Sequence, residues 1–177
     1  PGIDKDIANA YNKIGDYDNA IKYTRENLAR ITDSTYDRSH DLFQLGLLYW
    51  KKATANSTDA SSSDYDLNTL KQAENVFAEV SRLKPNSYVG YYWRAKANAL
   101  MDPKNARGLA KPYYKRAAEL LEKEGGDKDY LIEYYKQLSY YYYINKEMNS
   151  SVEYAQKILE LDPEDDFAKQ MVALKVK

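Results

Sequence analysis

The chain has 177 residues, 44% hydrophobic and 30% charged, enough for one domain with a real core or one short repeat array. Its 26 lysines and arginines balance 27 aspartates and glutamates, which removes the bulk electrostatic case for nucleic acid, and no stretch approaches the roughly 20 uncharged apolar residues that span a bilayer. Cysteine is absent, which excludes disulfides, thiolate metal sites and thiol nucleophiles, while 19 tyrosines stand beside three phenylalanines and two tryptophans.

In chain order, a two-part pattern recurs. Within 1–34, Ile7-Ala8-Tyr11 gives large, small and aromatic, Gly15-Asp16-Tyr17 gives a tight turn, and Ala20-Thr24-Asn27 fills the second part. Within 38–86 the trios are Leu45-Gly46-Tyr49 and Ala73-Phe77-Val80, closed by Pro85. Between them, 53–66 is a run of Ala, Thr, Asn, Ser and Asp read as an inserted loop. Within 87–126 the trios are Arg94-Ala95-Asn98 and Ala110-Tyr114-Ala117, with Met101-Asp102-Pro103 between them and Gly125-Gly126 at the end. Within 128–163 they are Leu138-Ser139-Tyr142 and Ser151-Ala155-Ile158, closed by Pro163. The small residues of the two parts lie 12 apart in the first and last units (Ala8 to Ala20, Ser139 to Ser151), and the longer middle spacings put every extra residue between helices. In 164–176, Phe167, Met171 and Leu174 are spaced for one apolar face, as in a helix that covers the last unit.

The geometry behind the pattern is simple. The large and aromatic residues are four apart and share a helical face, and the small residue between them lets two helices approach closely. The trios, their 12-residue spacing and the closing prolines resemble the tetratricopeptide repeat (TPR), whose pattern over about 34 residues is W-x2-L-G-x2-Y, then A-x3-F, then Pro. IANAYNKIGDYDNAI matches most strongly, and YYWRAKANALMDP and GLAKPYYKRAAEL resemble bacterial TPR proteins. The resemblance implies an all-α fold: one domain over 1–177, a right-handed superhelical α-solenoid of about four helix-turn-helix repeats plus a capping helix. The chain opens at Pro1 with no signal peptide in view, and is read as a processed chain or a C-terminal piece of a longer array. That leaves cytoplasm and periplasm open as compartments.

Catalytic and cofactor chemistry finds no motif. His40 is the single histidine and has no metal-ligand spacing around it, and GxGxxG, P-loop and GxSxG elements are absent. The acids Asp162, Glu164, Asp165 and Asp166 fit a helix N-terminus. Asn56-Ser57-Thr58 and Asn149-Ser150-Ser151 match the glycosylation sequon, a pattern frequent by chance. No enzyme activity, metal or cofactor is expected.

In TPR solenoids the first helices line a concave surface, so the resemblance implies a binding face there. Positions three before, one after and five after the small residue lie four apart and form one stripe. The stripe reads Lys5, Asn9, Lys13; Phe43, Leu47, Lys51; Tyr92, Lys96, Leu100; and Lys136, Tyr140, Ile144, with Trp50 and Tyr143 beside it. Five of these are lysines and none is acidic, which points to a groove for a peptide with apolar anchors, an acidic one among the candidates. Lys5 and Asn9 match the first half of the carboxylate clamp of chaperone-tail-binding TPR domains. Gln44, Val89 and Trp93 stand where the rest should be, so a working clamp is not expected. The expected function is a non-catalytic protein-binding scaffold, with neither nucleic acid nor membrane insertion. The alternative is a spacer segment of a longer array, self-associating through its uncapped first repeat.

Overall fold

The computed structural model describes residues 2–55, 57 and 65–174. Among the described residues there are nine α-helices and no strand: α1 (Gly2–Lys13), α2 (Tyr17–Arg30), α3 (Ser39–Thr54), α4 (Leu67–Leu83), α5 (Tyr88–Met101), α6 (Lys111–Glu124), α7 (Lys128–Ile144), α8 (Met148–Leu161) and α9 (Asp166–Leu174). The chain divides into two compact units, Pro1–Pro85 and Asn86–Lys177.

Local chemistry sets the helix ends. Asp16, Asp66 and Asp127 each accept backbone N–H bonds at the start of α2, α4 and α7, and Ser87 does so for α5. Gly125 ends α6 in the left-handed region, at φ 65°, where its N–H reaches back to Leu121 and Glu122 carbonyls.

In the first unit, α1 packs on α2, α2 on α3 and α3 on α4. Ala8, Ala20, Gly46 and Ala73 are all buried at these crossings. At Gly46 a Cβ would fall 2.5 Å from Cε1 of Phe77, so only glycine admits the fully buried Phe77 ring.

In the second unit, α5 packs on α6, α6 on α7, α7 on α8 and α8 on α9. One core joins Ala95, Tyr114, Ala117, Tyr134, Leu138, Ala155, Ile158 and Met171. The small residues Ser139 and Ser151 meet directly: Ser139 Oγ donates to the Ser151 carbonyl at 2.9 Å, and the two hydroxyls lie 3.2 Å apart. The hydroxyls that make serine tolerable at a fully buried crossing are thus spent on each other.

Two boundaries differ from the sequence reading. Ala53 is not loop but the last buried turn of α3, at 2% exposure, and Asp66 is the cap of α4. The interior of the expected 53–66 loop, with Asn56 and Thr58 of the first sequon, lies outside the described residues. In α9, Ala168 and Met171 are buried and Phe167 is half-buried, whereas Leu174 is exposed; 175–177 also lie outside the described residues.

Leu138, 1% exposed, fills the second core, so Leu138→Ala is expected to lose about 2–5 kcal/mol in a urea unfolding experiment. Gly46→Val is expected to lose about 1–3 kcal/mol by overpacking against Phe77, read from the same midpoint shift.

Candidate protein-interaction surface

The twelve candidate residues lie on the first helix of each pair, α1 and α3 in the first unit and α5 and α7 in the second. In the first unit Lys5, Asn9 and Lys13 are exposed on α1, while on α3 Lys51 is exposed and Phe43, Leu47 and Trp50 are half-buried. Phe43 leans on Phe77, ring centroids 6.0 Å apart, so it is tied to the core as much as to the surface. In the second unit Tyr92, Lys96 and Lys136 are half-buried on α5 and α7. Tyr140 and Tyr143 on α7 are 47% and 37% exposed, which makes them the large aromatic residues of the stripe most open to a partner.

The lysines are not idle charges. Lys5 Nζ lies 3.2 Å from the buried carboxylate of Asp41 on α3, and Lys51 on α3 donates to Asn12 Oδ1 on α1 at 3.1 Å. In the second unit Lys96 on α5 lies 3.6 Å from Glu133 on α7, and Lys136 on α7 lies 2.5 Å from Asp165 at the start of α9. Four of the five stripe lysines therefore bridge to a neighbouring helix. Asp41 and Asp165 are 5% and 9% exposed, so each lysine covers a carboxylate that burial would otherwise penalise. Asp41 was missed by the sequence reading because it sits off the stripe, and Asp165 was read only as a helix N-terminal acid. The available signal was the acid in the first turn of α3, Asp41, one repeat on from Lys5.

Tyr92 is held in place as well. Its ring is 5.3 Å from that of Tyr134 and 5.8 Å from Tyr130, and Lys96 Nζ lies 5.6 Å from its centroid. Burial and the neighbouring Glu133 carboxylate push its hydroxyl well above the ordinary phenol range. Tyr142, expected in the core, is half-buried and stacks on Tyr154, 5.7 Å between centroids at 8°. Burial, with the Tyr142 neighbour next in weight, pushes the Tyr154 hydroxyl up to about 12.

The clamp-like residues Lys5, Asn9 and Gln44 do converge, together lining a small cavity of about 30 Å³ with Asp41 and Asn27. Asp41 already engages Lys5 there, which leaves this lysine poorly placed to hold a foreign carboxylate. His40 is exposed, and among the described residues no group of three or more His, Asp or Glu side chains could hold a metal ion. No helix among the described residues is long and apolar enough to cross a membrane.

No protein-family model matches the sequence, and comparison with curated proteins finds no match. Solved structures do match. The C-terminal part of a TPR repeat-containing protein from Cytophaga hutchinsonii aligns over 95% of this chain at 31% identity, with a TM-score of 0.76. The chain has the repeat fold of tetratricopeptide-repeat proteins. It spans 58% of that solved chain. MamA from Desulfovibrio magneticus aligns over 98% of this chain and 84% of its own at 20% identity and a TM-score of 0.61. A thermophilic TPR protein from Thermus thermophilus aligns over 96% and 78% at 19% identity and a TM-score of 0.55. These likenesses show the all-α repeat fold.

The Lys136–Asp165 pair makes a pH prediction for the last helix, α9. Burial alone would raise the Asp165 carboxyl, but Lys136 and the backbone N–H groups of Ala168 and Phe167 outweigh it and hold the pKa below the ordinary value. A depressed carboxyl stabilises the fold above its unfolded pKa of about 3.9. That stability is lost as pH falls through the lower, folded value. Asp165→Asn is therefore expected to lower the unfolding temperature at pH 7 and to flatten its decline below about pH 4, in a pH series of thermal melts.

Proposed function

We propose that this chain is a non-catalytic scaffold that binds a segment of a partner protein on its first-helix surface, with Tyr140 and Tyr143 as the anchors in the second unit. The observation that carries the reading is their exposure, 47% and 37%, on the helix face that the TPR architecture leaves to partners. Exposed tyrosines of this kind offer a large apolar ring with a hydroxyl for the wet rim, the combination enriched at binding hot spots. In the first unit Asn9 and Lys13 remain exposed on α1 beside the half-buried Trp50 and Leu47. With Lys5, Lys51, Lys96 and Lys136 engaged by neighbouring helices, apolar anchoring carries more of the binding than charge does. An acidic partner would gain mainly in on-rate and salt sensitivity.

Self-association is the second reading, and one observation favours it: Ile3 and Ile14 on and just after α1 are 77% and 75% exposed. Single exposed apolar residues are common on any surface, which ranks this reading below partner binding.

The test compares the wild type with Tyr140→Ala/Tyr143→Ala in a quantitative pull-down, with circular dichroism to establish equal helicity. Loss of at least about tenfold in affinity for a captured partner, ~1.4 kcal/mol, is expected. Equal capture by both proteins would move the interface off α7. Concentration-dependent dimerisation that Ile3→Ser/Ile14→Ser abolishes, with no captured partner, would replace this reading with the second.

A further inference from the structure

The second unit sets cations over many of its tyrosines. The Arg94 guanidinium lies 4.1 Å from the Tyr113 ring centroid, Lys111 Nζ 4.6 Å from that of Tyr141, and Lys157 Nζ 5.1 Å from that of Tyr135. Lys96 sits over Tyr92 in the same way, at 5.6 Å. Tyr88 and Tyr130 break the pattern. Their ring centroids are 6.3 Å apart, and among the described residues no cation lies over either ring.

Helix geometry brings these rings to one mouth between α5 and α7. Tyr88 and Tyr92 are one turn apart on α5, as Tyr130 and Tyr134 are on α7. The Tyr130 ring meets that of Tyr92 at 5.8 Å and that of Tyr134 at 6.3 Å. Tyr134 is fully buried, Tyr88 and Tyr92 are half-buried, and Tyr130 is 41% exposed. Tyr130 is thus held by three rings and still open to solvent.

The charge at this mouth is acidic. Burial first, then Tyr130 and the carboxylates of Glu124 and Asp127, push the Tyr88 hydroxyl above the ordinary phenol range. Glu133, three residues on from Tyr130, has both oxygens 3.4 Å from the Tyr92 hydroxyl and one 3.6 Å from Lys96. These contacts are long, and the Glu133 side chain stays 34% exposed. Among the described residues Lys96 is the one cation set against these rings and carboxylates. Lys123 and Lys128 flank the mouth in sequence, exposed and without an ion pair to any of its acids.

We propose that this mouth receives a cationic side chain, arginine or lysine, of a partner polypeptide, with the Tyr130 ring against the cation and the Glu133 carboxylate beside it. A tyrosine ring attracts a cation through its quadrupole, as five rings of this unit already do for their own lysines and arginines. Glu124, Asp127 and Glu133 supply the complementary sign and repel an acidic group. The stripe's lysines, counted alone, favour an acidic segment; here the unmatched sign is negative. The inference rests on the first-helix surface being the face that meets a partner, since Tyr92 belongs to it, and adds the chemistry of one bound residue.

The test is nuclear magnetic resonance of the full chain at fixed ionic strength, titrated to about 50 mM with each of three small probes. These are N-acetyl-arginine amide, its neutral isostere N-acetyl-citrulline amide, and N-acetyl-glutamate amide. The arginine amide is expected to shift the Tyr88, Tyr130 and Glu133 signals and to bind at least about threefold more tightly than the citrulline amide. The glutamate amide should leave them unmoved. Tyr130→Phe keeps the ring and should keep the response. Tyr130→Leu, which keeps apolar bulk without a ring, and Glu133→Gln should each weaken it at least about threefold at unchanged helicity. Tyr140→Ala/Tyr143→Ala should leave it unchanged, so failure of those anchors and failure of this mouth are read separately. No shift with the arginine amide, equal binding of the citrulline or glutamate amide, or an undiminished response in Tyr130→Leu or Glu133→Gln would overturn the proposal.

Discussion

Everything in this fold depends on the close crossing of paired helices, and a small residue on each side sets the distance. Ala8 with Ala20, Gly46 with Ala73, Ala95 with Ala110 and Ser139 with Ser151 are all buried. Close approach brings each helix near enough for the larger residues four positions away to reach across. Phe77 lies over Gly46 for this reason, and Leu138 can seat itself in the second core. A thin repeat has no deep interior to fall back on, so these crossings supply most of the apolar contact that replaces the missing centre of a globular domain.

The tyrosines follow from that thinness. A residue in an interface one helix deep is seldom far from water, and tyrosine buries its ring while its hydroxyl reaches the edge. Tyr11 stacks on Tyr23 at 5.6 Å, and the Tyr135 hydroxyl donates to Glu122, whose carboxylate also meets Lys157. Phe77, fully buried, stands where the edge is out of reach. Tyr134 is the exception: it is fully buried, and its hydroxyl has no hydrogen-bond partner. The rings of Tyr92, Tyr114 and Tyr130 around it supply contact area in place of a hydrogen bond.

The helix pairs were legible in the sequence because their signal is local. Small residues 12 apart, capping aspartates and closing glycine or proline all lie within one hairpin. The cross-helix pairs were not legible, because Lys5 and Asp41, or Lys96 and Glu133, are separated by a whole repeat and meet only after the helices stack. Counting lysines along a stripe thus found the positions of the charges and missed that most of them are matched. The end of α3 was misread for a related reason: Ala53 opens a polar, small-residue run, yet it buries against its own unit as part of the helix. Composition describes a neighbourhood and cannot weigh one buried methyl group within it.

The matched lysines bear on function through what they fix. Lys5, Lys51 and Lys96 each tie together the two first helices of one unit, and Lys136 ties α7 to the start of α9, so they orient the surface that a partner would meet. Replacing Lys136 would leave Asp165 buried without its cation, and the loss would appear as weakened docking of α9 before any change in recognition. A loss of binding after lysine substitution is therefore ambiguous between contact and scaffold. Tyr140 and Tyr143 escape the ambiguity, since both are exposed and neither is in the second core.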